Sequence, residues 1–155
     1  MPIRTYTVEL KNTAVTGAIT LVQIKPGISS VVLLRAKVTQ NGSTTSTMLD
    51  VAIGTSTGAA TVTTQTPAQH DIDGAAAKAV GGTSATGVNA TAEGSSQTDI
   101  IRDSFNYLAP FEYIPTPEEY ITVPGGGGTY LYLRFPTVPG ASVTVNARLT
   151  FGEIG

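Results

Sequence analysis

Three clusters in this chain hold residue types that do chemistry. Glu118 and Glu119 are adjacent, four glycines run from Gly125 to Gly128, and His70, Asp71 and Asp73 share one short stretch. Paired carboxylates suit general acid–base work, a glycine run suits a phosphate cradle, and a His/Asp group suits a metal ion. Each fails on spacing. Adjacent residues on a strand point to opposite faces, and on a helix they lie about 100° apart, so Glu118 and Glu119 do not converge on one substrate. A P-loop needs Gly-Lys-Ser/Thr and a following helix, whereas Thr129 and a strand-like segment follow Gly128. Calcium or zinc requires more convergent ligands than His70, Asp71 and Asp73 supply. His70 is the single histidine and cysteine is absent, so a nucleophilic triad would have to use His70, and no Gly-x-Ser-x-Gly accompanies it. The expectation is a protein without catalytic, cofactor or metal sites, and not an enzyme.

Glu119 has a structural use instead. Thr116-Pro117-Glu118-Glu119 reads as the start of one helical turn. Thr116 is its N-cap, Pro117 its first residue, and Glu119 completes a Thr-x-x-Glu capping box. The glycine run reads as a turn.

The elements that carry these residues are strands. Threonine is abundant, with many valines and isoleucines, and β-branched side chains favour pleated surfaces; the 17 glycines and nine prolines supply turns. Alternation marks strands at Arg4–Leu10, Ala18–Lys25, Ser30–Gln40 (Val32, Leu34, Ala36 and Val38 inward), Thr47–Gly54, Thr98–Leu108, Pro110–Ile114, Thr129–Phe135 and Ser142–Phe151. Asn12–Gly17 reads as a turn, and Asn41-Gly42 suits a tight hairpin. Residues 55–97 are rich in Thr, Ser, Gly and Ala and read as long loops with short strands at Thr61–Thr64 and Gly87–Thr91. Asp73–Val80 is the stretch whose alanines suit a short helix. Pro136–Ala141 reads as the link of an antiparallel pair. Eight to ten short antiparallel strands with at most one or two helical turns predict one all-β domain over residues 1–155, a β-sandwich or jelly roll.

Charge narrows the partners. Nine basic and eleven acidic residues give a net charge of −2 with no basic stripe, which argues against nucleic acid. The longest clearly apolar run, Ser30–Leu34, is too short to span a bilayer. The opening MPIRTYTVEL lacks the apolar core of a signal peptide, so the expectation is a chain made in the cytoplasm with no membrane partner. Tyr130, Tyr132 and Arg134 share the strand face opposite Leu131, Leu133 and Phe135. Tyr and Arg are enriched at interfaces, so this face is either a protein interface or a second buried layer with hydroxyls at its rim. Phe111 and Tyr113 carry the same two readings.

Two long segments, DSFNYLAPFEYIPTPEEYITVPGGGG and LYLRFP…SVTVNARLTFGEIG, resemble a group of small virion proteins of tailed bacteriophages and prophages. In that group a segment like AFN…EWIPTPEER precedes a strand, and the chain ends GxLxFEEIG. The start, TYTVELKNTAVTGAITLVQIKPG, is similar to the group's opening. The specific part is Asn106, Ile114–Glu119 and Phe151–Gly155; Tyr120 stands where the group has Arg, and Gly152 where it has Glu. The resemblance implies a jelly-roll decoration, or cement, protein that sits as a homotrimer on the virion capsid surface and binds the major capsid protein, with Tyr120 among the interface candidates. A glycan-binding jelly roll, with Tyr130 and Tyr132 stacking on sugars, is the alternative. A threonine-rich ice-binding surface is disfavoured by the irregular spacing of its Thr-x-Thr pairs.

Overall fold

In the computed structural model, residues 3–42 and 46–155 are described; the turn expected after Asn41-Gly42 falls partly outside them. The strands are β1 (Arg4–Val15), β2 (Thr20–Ile24), β3 (Ser30–Gln40), β4 (Met48–Ser56), β5 (Thr61–Thr64), β6 (Ala68–Gln69), β7 (Gly87–Ala92), β8 (Gln97–Asn106), β9 (Phe111–Tyr113), β10 (Thr122–Val123), β11 (Tyr130–Arg134) and β12 (Val143–Ile154). They form two antiparallel sheets. Sheet A has the order β10-β3-β12-β1-β6, with β9 also paired to β3; sheet B has the order β5-β7-β2-β11-β4-β8. The fold is an all-β sandwich.

The pairings nest. β1 pairs with β12, β2 with β11, β3 with β9 and β10, and β4 with β8. The chain thus doubles back on itself as one long hairpin rolled into two layers, which is the jelly-roll topology. Alternation drives the closure. Tyr6, Val8 and Leu10 of β1, Leu149 and Phe151 of β12, Val51 and Ile53 of β4, and Leu131 and Leu133 of β11 all point into one core. Each fully buried aliphatic or aromatic side chain contributes about 1.5–3 kcal/mol relative to exposure.

Three local expectations change. β1 does not stop at Leu10: a bulge between Leu10 and Thr13 carries it to Val15. Asn12 takes a left-handed φ of 46° there, a conformation asparagine tolerates, and its N–H donates to Asn146 Oδ1 at 2.9 Å. β11 and β12 are not a pair, because Pro136–Ala141 crosses from sheet B to sheet A; alternation reports which face is buried, not which strand is the neighbour. In β3 a register shift opposite Thr150 and Phe151 turns Leu34 outward and leaves Val31, Leu33, Ala36 and Val38 in the core. Asp73–Val80, where the alanines left a short helix open, is turn and loop, in line with the loop reading of residues 55–97.

The threonine-rich middle is an insertion between β4 and β8. Its β5–β7 ladder extends sheet B beyond β2, and β6 extends sheet A beyond β1. Buried polar side chains pin it. Gln23 on β2 is 1% exposed; its amide accepts from Ala60 N–H at 2.9 Å and donates to Ala85 C=O at 2.7 Å. Glu153 accepts from the Lys78 and Ala79 N–H groups at 2.7 and 2.9 Å, which holds residues 78–79 extended. Glu93 accepts from the Thr20 N–H and, at 2.8 Å, from its hydroxyl.

Candidate interaction surface

The residues singled out by sequence fall into two environments. Tyr132 is fully buried, and Tyr130 and Phe111 are 8% and 6% exposed. Within the chain these three side chains take the buried, second-layer environment. Tyr130 and Tyr132 stand on the side of β11 away from the core, beside Gln23 and the segments it anchors. The Tyr130 hydroxyl accepts from Lys25 Nζ at 3.3 Å, and the ammonium lies 5.1 Å from the ring centroid. Phe111 packs on Phe105 with centroids 5.6 Å apart. Buried rings cannot stack on a sugar, so Tyr130 and Tyr132 lend the glycan-binding alternative no support.

Tyr132, Gly54 and Asp99 form one cross-strand row over β11, β4 and β8. Gly54 leaves the space through which the Tyr132 hydroxyl reaches Asp99 Oδ1 at 2.6 Å; a Cβ there would lie 2.7 Å from that hydroxyl and would collide with the Thr98 carbonyl. Arg134 completes the network. Its Nε and Nη2 donate to the two Asp99 oxygens at 3.1 and 3.0 Å, and Nη1 donates to Gln97 at 2.7 Å. Burial raises the Asp99 pKa, but bonds from Arg134 and Tyr132 outweigh it and hold the carboxyl below its ordinary value. Burial likewise opposes the charge on Arg134, and Asp99 reverses that, raising its pKa. Burial, and then the bond to Asp99, push the Tyr132 phenol up. Arg134 is therefore committed inside the chain and is a structural residue.

The exposed candidates lie along the β9–β10 edge. Tyr120 is 40% exposed, Glu118 and Glu119 are exposed, and Ile114 shows most of its surface. Tyr113 is half-buried against the core, and its phenol is raised by burial and then by Glu119. The capping box does not form. Pro117–Glu119 is a single 3₁₀ turn whose Thr116 side chain caps nothing; the backbone bond from Glu119 N–H to Thr116 C=O, 2.9 Å, already satisfies the donor. The Thr116 hydroxyl meets the Glu119 carboxylate at 3.3 Å instead. His70 Nε2 hydrogen-bonds the Thr7 hydroxyl at 2.7 Å, and Asp71 accepts from Asp73 N–H at 3.2 Å. Among the described residues no group of three or more His, Asp or Glu side chains converges on a common point, and no helix is long and apolar enough to cross a membrane.

At the C-terminal end of β12, Gly152 sits where the resembled group has glutamate. A Cβ at Gly152 would strike Ile3 and crowd Val32 at 3.2 Å, so Ile3 fills that space in this chain. The sequence reading missed a second surface, the outer face of sheet A, where Glu9, Lys37, Thr39, Asn146 and Arg148 line a shallow cup. The signal for it was present: Lys37 and Arg148 occupy outward positions of two long strands. Their adjacency required the β3–β12 register.

No family model matches the chain, and no curated protein matches it. Among solved structures, a chain of the T13 IBDV viral particle aligns at 14% identity and a TM-score of 0.20, over 98% of this chain and 39% of that one. A match of that score establishes no shared fold.

Proposed function

We propose that this protein is a capsid decoration, or cement, protein of a tailed bacteriophage. It acts by binding and performs no chemistry. One observation carries the proposal: the segments that resemble the phage group meet in space. Phe151–Ile154 pairs with one side of β3. Thr122–Val123 pairs with its other side, and Leu33 N–H donates to the Ile121 carbonyl at 2.9 Å. The strands that flank the Ile114–Glu119 motif, β9 and β10, thus meet the chain's last strand across β3 at one corner of sheet A. Jelly rolls serve viral capsids and lectins alike, so this corner, not the fold, favours the capsid reading.

The mechanism is multivalent. Three copies in a closed ring would bridge neighbouring major capsid protein subunits on the outer surface of the head. Each added contact raises the effective concentration for the next, and binding to the assembled head alone stabilises it by mass action. The test removes the gene from the phage that encodes it and heats the resulting heads. Undecorated heads should release DNA at a lower temperature, and adding the purified chain, itself three times the 15.9 kDa subunit mass, should restore the original value. Heads equally stable with and without the chain, or a monomer by light scattering, contradict the proposal.

A further inference from the structure

Sheet A carries a row of charge across its outer face. Glu9 on β1, Arg148 on β12, Lys37 on β3 and Glu112 on β9 are successive cross-strand neighbours. Their order is negative, positive, positive, negative. Lys37 reaches one Glu112 oxygen at 3.7 Å, and Arg35 takes the other at 2.6 Å. Glu9 turns toward Lys11 at 4.0 Å. Arg148 makes no hydrogen bond or ion pair among the described residues.

The outer two pairs of that row are of opposite charge, and only its middle pair is unfavourable. Like charges directly opposite each other destabilise a sheet, and Arg148 and Lys37 are such a pair on the two central strands of sheet A. Beside them is a cup of about 170 Å³ lined by Glu9, Lys37, Thr39, Asn146 and Arg148. A single water needs about 10–15 Å³ of such space, so the cup has room for a carboxylate together with several waters. The surrounding charge matches such a guest. Four basic side chains (Lys11, Arg35, Lys37 and Arg148) face two acidic ones (Glu9 and Glu112) on a chain with nine basic and eleven acidic residues overall.

We propose that the cup is a carboxylate site that receives an aspartate or glutamate side chain from the surface of a partner protein. Arg148 offers its planar fork to the carboxylate, Lys37 adds a point charge, and the Thr39 hydroxyl adds a neutral donor. The guest also relieves the repulsion between the two cations. A protein, not a free anion, is the favoured source, because the cup opens on a sheet face and encloses no small molecule. The inference rests on the reading that the chain acts by binding protein; it does not require that the partner be a capsid.

The experiment is an NMR titration of the full chain, isotopically labelled, with a blocked tetraglutamate peptide, its tetraglutamine counterpart and inorganic phosphate. Tetraglutamate should give saturable shifts at the Thr39 and Asn146 amides and the Arg148 guanidinium, and tetraglutamine none. Arg148→Gln should weaken binding by up to about fivefold, the upper end for a surface ion pair, with the spectrum elsewhere unchanged. Glu9→Gln, which removes a competing carboxylate, should tighten it. No saturable shift, a response that survives Arg148→Gln, or phosphate binding as well as the peptide would each overturn the site. Peptide binding by a chain that ignores phage heads would keep the site and remove the capsid as its partner.

Discussion

Tyr132→Phe isolates the polar network on the outer side of sheet B. The substitution deletes one oxygen and keeps the fully buried ring. The lost bond is a 2.6 Å contact to the Asp99 carboxylate, which keeps both Arg134 nitrogens at 3.1 and 3.0 Å. No charge is stranded, so the cost sits near the lower end for a hydrogen bond to a charged group, about 1.5–2 kcal/mol. For a chain of this length that is a fall in Tm of about 3–8 °C. The pH dependence has a definite sign. Asp99 has a folded pKa below its ordinary value, so its contribution is complete above the unfolded pKa and is lost as pH falls through the folded one. Urea unfolding of wild type and Tyr132→Phe should therefore show a gap that is full at pH 7 and narrows below about pH 4. Tyr6→Phe is the control. The Tyr6 hydroxyl donates to the neutral Ala75 carbonyl at 2.8 Å, so its removal should cost about 1 kcal/mol at every pH. A Tyr132→Phe gap that does not change with pH, or that is smaller than the Tyr6→Phe gap, would refute the reasoning.

Gly54→Ala should cost about 3 kcal/mol or more, because a Cβ meets both the Thr98 carbonyl and the Tyr132 hydroxyl; denaturant melts measure it, and a loss under about 1 kcal/mol contradicts the row described here. Glu153→Ala removes the acceptor of the Lys78 and Ala79 N–H groups, and hydrogen exchange should speed at those two amides more than in β12 itself. Glu119→Ala should change stability by less than about 0.5 kcal/mol, since no side-chain cap is present to lose; a loss near 1 kcal/mol would restore the capping box.

The two layers were legible because their signal is local. A period-two pattern with Val143, Val145, Ala147, Leu149 and Phe151 on one side reports a half-buried strand wherever its partner lies, and those five residues do line the core. Pairing is not local. Nothing in Pro136–Ala141 says that β12 leaves β11 to lie between β1 and β3. The same limit governs the interface candidates. Tyr130, Tyr132 and Arg134 read equally as contact or core until Gln23 is seen fixing the insertion at Ala60 and Ala85. Those contacts join positions 37 and 62 residues apart in sequence. The cup at Arg148 stayed hidden for a related reason. Each of its charges is an ordinary outward residue on its own strand, and only the register sets two cations side by side.

Co-sedimentation tests the central claim most directly. To test the proposed capsid binding, the purified chain is mixed with expanded phage heads that lack it, and bound and free protein are separated by centrifugation. The account predicts saturable pelleting at a fixed number of copies per head. A chain that stays in the supernatant at every concentration would contradict it.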